Sequence, residues 1–148
     1  MPTISGAHVL DLFAGSGALS IEALSRGAAH ATLIELSQAT TQHIKKTLTE
    51  LNADNFKVIQ SKGEDWLQQK FPQPLFDLVF LDPPFASDTL VTLLQALEAS
   101  NCLYKQSMIY IETGSALAET TLPKNWLIHR QKKTGHVFYY LILRQQNA

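Results

Sequence analysis

The sequence predicts a doubly wound α/β domain, with a mostly parallel seven-stranded sheet that ends in a C-terminal antiparallel hairpin. Three observations carry this. Short apolar runs alternate with stretches of helical periodicity, a glycine turn follows the first run, and two strand-like runs close the chain around Lys132-Lys-Thr-Gly135. Parallel neighbours cannot be joined by tight turns, so the alternation implies right-handed crossovers with helices on both sheet faces.

Residues 8–13 (His-Val-Leu-Asp-Leu-Phe) read as a buried strand, and Ala14-Gly-Ser-Gly17 as a turn in which glycine permits positive φ and close backbone approach. A helix follows, with Ala18, Leu19, Ile21, Ala23 and Leu24 on its apolar side and Gly27 placed to cap its end. Residues 31–36 form the second strand. Ser37 then caps a helix whose Ile44, Leu48 and Leu51 share one side. Residues 56–60 give a third strand, and residues 64–70 a short helix with Trp66 and Leu67 inward. The fourth strand, 76–81, precedes a helix over 87–99 carrying Leu90, Leu93, Leu94 and Leu97 at helical spacing, capped by Ser87 or Asp88. Residues 107–112 are the fifth strand. Residues 126–131 and 136–144 pair through the Lys132–Gly135 loop.

Composition bounds the function. A chain of 148 residues with 45% hydrophobic and 17% charged content builds one domain, 1–148, and is too apolar for disorder. No apolar run approaches the ~20 residues that span a bilayer, and Met1-Pro-Thr-Ile-Ser lacks the basic start of a signal peptide, so no membrane partner is expected. The single cysteine, Cys102, excludes an internal disulfide framework and has no basic activator nearby in sequence. Together these point to the cytoplasm. His8, His30, His43, His129 and His136 show no metal-ligand spacing, and no metal is expected. The formal net charge of −1 gives no global footprint for nucleic acid, and Lys45-Lys46 and 130–133 read as solvated faces. Trp66, Trp126, Tyr139 and Tyr140 read as core or edge packing.

In a doubly wound sheet the ligand lies beyond the carboxyl ends of the strands, where Asp11 to Gly17, Glu35, Lys62 to Asp65 and Asp82 to Phe85 all fall. A glycine turn opening a helix implies a nucleotide-type cofactor. The phosphate-loop pattern fails, because no Gly-Lys-Ser/Thr follows the turn, and the dinucleotide fingerprint has Ser20 in place of its last glycine. Asp11, Glu35, Glu64 and Asp65 suit a cationic ligand better than a pyrophosphate. S-adenosylmethionine, with a sulfonium and an ammonium, is such a ligand. In that reading the turn meets its methionine portion, Glu35 accepts both ribose hydroxyls, adenine lies between the Leu36 and Gly63 regions, and Asp11 faces the ammonium directly or through water. The alternative for Asp11 is a bond to nearby backbone. Asp82-Pro-Pro-Phe85 is a rigid acceptor tip with an aromatic ring, suited to an amino group on a flat base; a strand-ending turn without chemistry is its alternative.

Val9-Leu-Asp-Leu-Phe-Ala-Gly-Ser-Gly17, Glu35 and Asp82-Pro-Pro-Phe85 resemble the class I S-adenosylmethionine-dependent methyltransferases, whose fold is Rossmann-like. Combined with residues 18–27, Ile109-Tyr-Ile-Glu112 and Lys133-Thr-Gly-His-Val137, the chain is similar to the RsmD family, which methylates the N2 amine of a guanine in 16S ribosomal RNA. The resemblance implies a catalytic set of Asp82, Pro83, Pro84 and Phe85. It implies cofactor binding by Asp11, Phe13, Ala14, Gly15, Gly17, Glu35, Leu36, Gly63 and Glu64. The implied partner is 16S ribosomal RNA in the small subunit or an assembly intermediate, met by a monomer. Two departures stand out. The family carries a basic segment and a helix upstream of the first strand, without which weaker RNA binding is expected, and Lys62 stands where an Asp or Asn often contacts adenine, leaving Glu64 or Asp65 for that role. Transfer to adenine N6 or another amino group, and a cofactor-binding remnant without catalysis, are the alternatives.

Overall fold

The computed structural model describes residues 4–83 and 87–145. The elements run β1 (His8–Asp11), α1 (Ala18–Ser25), β2 (His30–Glu35), α2 (Gln38–Glu50), β3 (Phe56–Gln60), α3 (Gly63–Trp66), β4 (Phe76–Leu81), α4 (Ser87–Ala99), β5 (Leu103–Thr113), β6 (Trp126–Thr134) and β7 (Val137–Arg144). A 3-10 turn at Glu119–Thr121 precedes β6. They form one seven-stranded sheet in the order β3-β2-β1-β4-β5-β7-β6. The first five strands in that order are parallel, and β7 runs antiparallel to both β5 and β6.

Alternation along the strands divides the core into two layers. Leu10, Ile34, Val79, Leu81, Ile109 and Ile111 face one side, where α4 adds Leu90, Leu93, Leu94 and Leu97, all at most 2% exposed. Val9, Ala31, Leu33, Leu78 and Phe80 face the other, against Ala23 of α1 and Ile44 and Leu48 of α2. Each such aliphatic side chain contributes roughly 1.5–3 kcal/mol by leaving water, so the central strands are fixed from both faces. The order of elements reverses between β1 and β4, which leaves a crevice at their carboxyl ends.

Several local expectations need correction. β1 stops at Asp11, two residues short of the expected end, and the chain then turns, with Ala14 donating its N–H to Ile34 and accepting from Gly17. α3 is a single turn, since beyond Leu67 the residues Gln68, Gln69 and Lys70 are all exposed and offer no apolar face. Leu51 is 58% exposed and does not join Ile44 and Leu48: it caps α2, and Asn52 at φ 59 turns the chain away. β5 begins four residues early, at Leu103, across an irregularity in its pairing with β4. The hairpin loop is shorter than expected. Thr134 pairs with Val137 around Gly135, at φ 61, and His136, so Lys132 and Lys133 are strand residues.

The late strands are tied down by a side-chain node. Glu98 of α4 accepts two bonds from the Arg144 guanidinium, Nε at 2.6 Å and Nη2 at 2.9 Å, and one from Trp126 Nε1 at 2.7 Å. One carboxylate thus joins α4, β6 and β7.

Candidate active site

The carboxyl ends of β1, β2 and β3, with Asp82 just after β4, enclose a cleft of about 660 Å³. Leu12, Phe13, Ile34 and Leu36 supply its apolar surface, and Glu35, Glu64, Lys62 and Asp82 its charged groups. Ser37 and Ser61 also line it. Three carboxylates against one lysine make the rim net acidic, as the sequence suggested.

Glu35 ends β2 and bridges two loops. Its Oε1 accepts the Gly15 N–H at 3.1 Å and its Oε2 the Ser37 N–H at 2.6 Å, so the glycine turn and the start of α2 are held by one side chain. Ser37 in turn caps α2 by accepting from the Thr40 N–H at 3.2 Å. The turn itself needs left-handed backbone at Gly15 (φ 55) and Gly17 (φ 80). Across the cleft, a Cβ on Gly63 would sit 3.0 Å from the Leu12 carbonyl oxygen and 3.2 Å from Phe13 Cζ, so any larger residue would crowd the close approach of α3 to the loop after β1.

Asp11 is not among the cleft-lining residues. It is 3% exposed, and its Oδ2 accepts from Ser20 Oγ at 2.7 Å, a side-chain partner where a backbone one was the stated alternative. Burial pushes its carboxyl up to about 7; the Ser20 bond opposes this, and the charges of Asp82 and Glu35 add to it. Ser20 is the neighbour of Asp11 that the sequence reading passed over as a missing glycine; it shares the buried side of α1 with Ala23.

Asp82 is exposed on the rim, and partial desolvation there raises its carboxyl above the ordinary range. Pro83 is buried beside it. Pro84 and Phe85 lie outside the described residues. Phe13, Gly15, Glu35, Leu36, Gly63 and Glu64 come together around the cleft, whereas Ala14, buried with its N–H on the Ile34 carbonyl, and Gly17, packed under Ile44 and Leu33, stand behind its wall. Asp65 is exposed and does not line the cleft, while Lys62, before α3, does. Cys102 is buried, and burial pushes its thiol up to about 11, which removes it as a nucleophile at neutral pH. Among the described residues no group of three or more His, Cys, Asp or Glu could hold a metal ion, and no helix is long and apolar enough to cross a membrane.

The raised Asp11 carboxyl implies a pH-dependent stability. Its folded value lies above the unfolded one, so the folded protein binds the proton more tightly. The contribution is complete below about pH 4 and is lost as pH rises through about 7. The slope is at most roughly 1.4 kcal/mol per pH unit. Asp11→Asn should flatten the dependence of melting temperature on pH between 4 and 7, as read by thermal unfolding of the ligand-free protein. An unchanged profile would show that Asp11 titrates normally.

A family model described as conserved hypothetical protein 95 matches residues 1–143. Ribosomal RNA small subunit methyltransferase D of Escherichia coli K12 is 42% identical over 144 residues, covering 97% of this chain and 72% of that protein. The solved structure of yhhF from Escherichia coli superposes with a TM-score of 0.89 at 43% identity, over 99% of this chain and 80% of the other. That of HI0767 from Haemophilus influenzae gives 0.89 at 38% identity, over 98% and 91%.

Proposed function

This chain belongs to the RsmD family, that of the ribosomal RNA small subunit methyltransferases D, and from that membership we propose that it methylates the exocyclic N2 amine of a guanine in small-subunit ribosomal RNA, with S-adenosylmethionine as donor. The observation that carries this is the position of Asp82, an exposed carboxylate just beyond β4 on the rim of the cleft that Glu35 and the glycine turn define.

The cleft fits the cofactor by size and chemistry. A volume of about 660 Å³ lies within the range of small-molecule sites, the acidic rim complements a cation, and Leu12, Phe13, Ile34 and Leu36 offer apolar surface to a purine. Glu35 would hold the ribose hydroxyls, since each of its oxygens has a second lone pair beyond the amide bonds it already accepts. Leu36, Gly63 and Glu64 would flank the adenine. Phe13, Ala14, Gly15 and Gly17 would shape the wall toward the methionine portion, with Asp11 buried behind it, where a bound cation would favour its ionised form. The cofactor, when bound, supplies an electrophilic methyl group.

The chain's own work is positioning. A guanine amine is a poor nucleophile because its lone pair is delocalised into the ring. Asp82 Oδ and the Pro83 carbonyl would accept its two N–H groups, directing the lone pair into the cleft and favouring the pyramidal form. Partial desolvation raises the Asp82 carboxyl, which favours proton uptake, so the surplus proton can pass to it or to water once the amine is substituted. Pro84 and Phe85 complete the proposed set, with Phe85 as the stacking ring. Because a base paired within a duplex cannot be reached, the target must be unpaired or flipped out. One copy of the chain carries every group named, so the working unit in this reading is a monomer.

Unmethylated small subunits and their assembly intermediates, incubated with protein and methyl-labelled S-adenosylmethionine, should yield label in N2-methylguanosine after digestion to nucleosides. Label in N6-methyladenosine or in protein would overturn the guanine assignment.

A further inference from the structure

A second groove, of about 440 Å³, lies on the β5-β7-β6 part of the sheet, lined by Tyr110, Tyr139, Leu141, Arg130, Gln131 and Lys132 among others. Register explains how it forms. Tyr110 of β5 pairs with Leu141 of β7, which pairs with Arg130 of β6; one step on, Glu112 pairs with Tyr139, which pairs with Lys132. Two cross-strand rows result, each running from β5 out to a basic residue on the sheet edge.

A bulge sets this pattern. Ile128 pairs with Ile142, yet Leu141 pairs with Arg130, so His129 is the extra residue. Without it, His129 and Gln131 would oppose Leu141 and Tyr139. The bulge brings Arg130 and Lys132 onto the tyrosine face instead. Lys133 falls on the opposite face, 5.2 Å over the Phe138 ring. The run 130–133 is exposed throughout, as its sequence suggested, and its side chains divide between the two sheet faces. Arg130 and Lys132 are exposed, and neither is ion-paired among the described residues. The C-terminal sequence is basic too. From residue 120 onward the chain contains Lys124, Arg130, Lys132, Lys133 and Arg144 and no Asp or Glu, against a net charge of −1 for the whole.

The groove also leads to the cleft. Leu81 pairs with Ile111, so Glu112, with its neighbours Tyr139 and Lys132, stands level with Asp82. Tyr110 packs edge-on against Phe80 at 6.1 Å and donates its hydroxyl to Glu112 Oε1 at 3.0 Å. Burial above all, then Glu112, Tyr139 and the charge of Asp82, keep the Tyr110 phenol protonated.

We propose that this groove is the docking track for the single-stranded RNA that flanks the target nucleotide, with Arg130 and Lys132 against its phosphates and Tyr139 beneath a base. Charge complementarity selects a polyanion, and a partly exposed tyrosine between cations and an acceptor site selects unstacked bases over a duplex. The proposal rests on the ribosomal RNA reading above and adds the surface that reading lacks.

The test uses the full chain and a fluorescent fragment of unmethylated small-subunit ribosomal RNA, with binding measured across a salt series. S-adenosylhomocysteine affinity serves as the control for folding. The double variant Arg130→Gln/Lys132→Gln should bind the RNA at least about tenfold more weakly at low salt, and the slope of log K against log salt should shrink by about 1.4, roughly 0.7 per cation. Tyr139→Ala should weaken binding by roughly five- to a hundredfold without changing the slope. Unchanged RNA affinity and slope in both variants would overturn the track. So would a shift from dimer to monomer in sedimentation with RNA affinity intact, which would assign the face to a second copy. Methylation by the wild type with unaffected variants defeats only the track. RNA binding that depends on Arg130 and Lys132, with no methyl transfer by the wild type, defeats only the function.

Discussion

Asp82→Ala is expected to lower the single-turnover rate of methyl transfer by roughly 10²–10³-fold, the usual cost of one preorganised polar group at the reacting centre, while S-adenosylhomocysteine binds within about threefold of the wild type. The separation follows from position. Asp82 lies on the open rim beyond β4, whereas the groups expected to hold the cofactor lie on β2, on the glycine turn and at the start of α3. Alanine removes the acceptor without disturbing the hydrogen bonds that shape the rest of the cleft. Asp82→Asn, which keeps one acceptor oxygen but loses the charge, should fall between the two. Equal losses of cofactor affinity and rate in Asp82→Ala would mean that this carboxylate holds the cofactor, and the division of roles would fail.

Glu35→Ala should act in the opposite sense, weakening S-adenosylhomocysteine binding by about 10²-fold or more by calorimetry. Two effects add. The ribose acceptor disappears, at about 1.5–3 kcal/mol for bonds to a charged group, and the Gly15 and Ser37 amides lose the side chain that holds both loops at their present spacing. Glu35→Gln retains one acceptor oxygen and should lose less. At saturating cofactor the transfer rate should recover most of its wild-type value, because Asp82 is untouched. Wild-type affinity in Glu35→Ala would remove the ribose assignment.

Periodicity made most of the fold legible, because each central strand is buried on both faces and each helix on one. β3, β4 and α4 fall at residues 56–60, 76–81 and 87–99, where the pattern placed them. What was not legible depends on long-range pairing. Nothing local in residues 126–144 says that β7 inserts between β5 and β6, and the extra residue at His129 is visible only against the partner strand. Leu51 had the right spacing and the wrong environment, since α2 ends beneath it. Around the cleft, Glu35 and Gly63 were legible because strand ends and glycines mark backbone constraints. Ser20 was not, because a buried hydroxyl looks like any other helix residue until Asp11 is found 2.7 Å away. The basic run on β6 is solvated, as its sequence suggested, but charge counting along the sequence does not say which of its side chains share a sheet face.

A crystal structure with S-adenosylhomocysteine bound tests the central claim most directly. The ribose hydroxyls should lie within hydrogen-bond distance of the Glu35 carboxylate, the adenine against Leu36 and Gly63, and the sulfur on the side of the cleft that faces Asp82. A cofactor seated elsewhere, or one whose sulfur points away from Asp82, would contradict it.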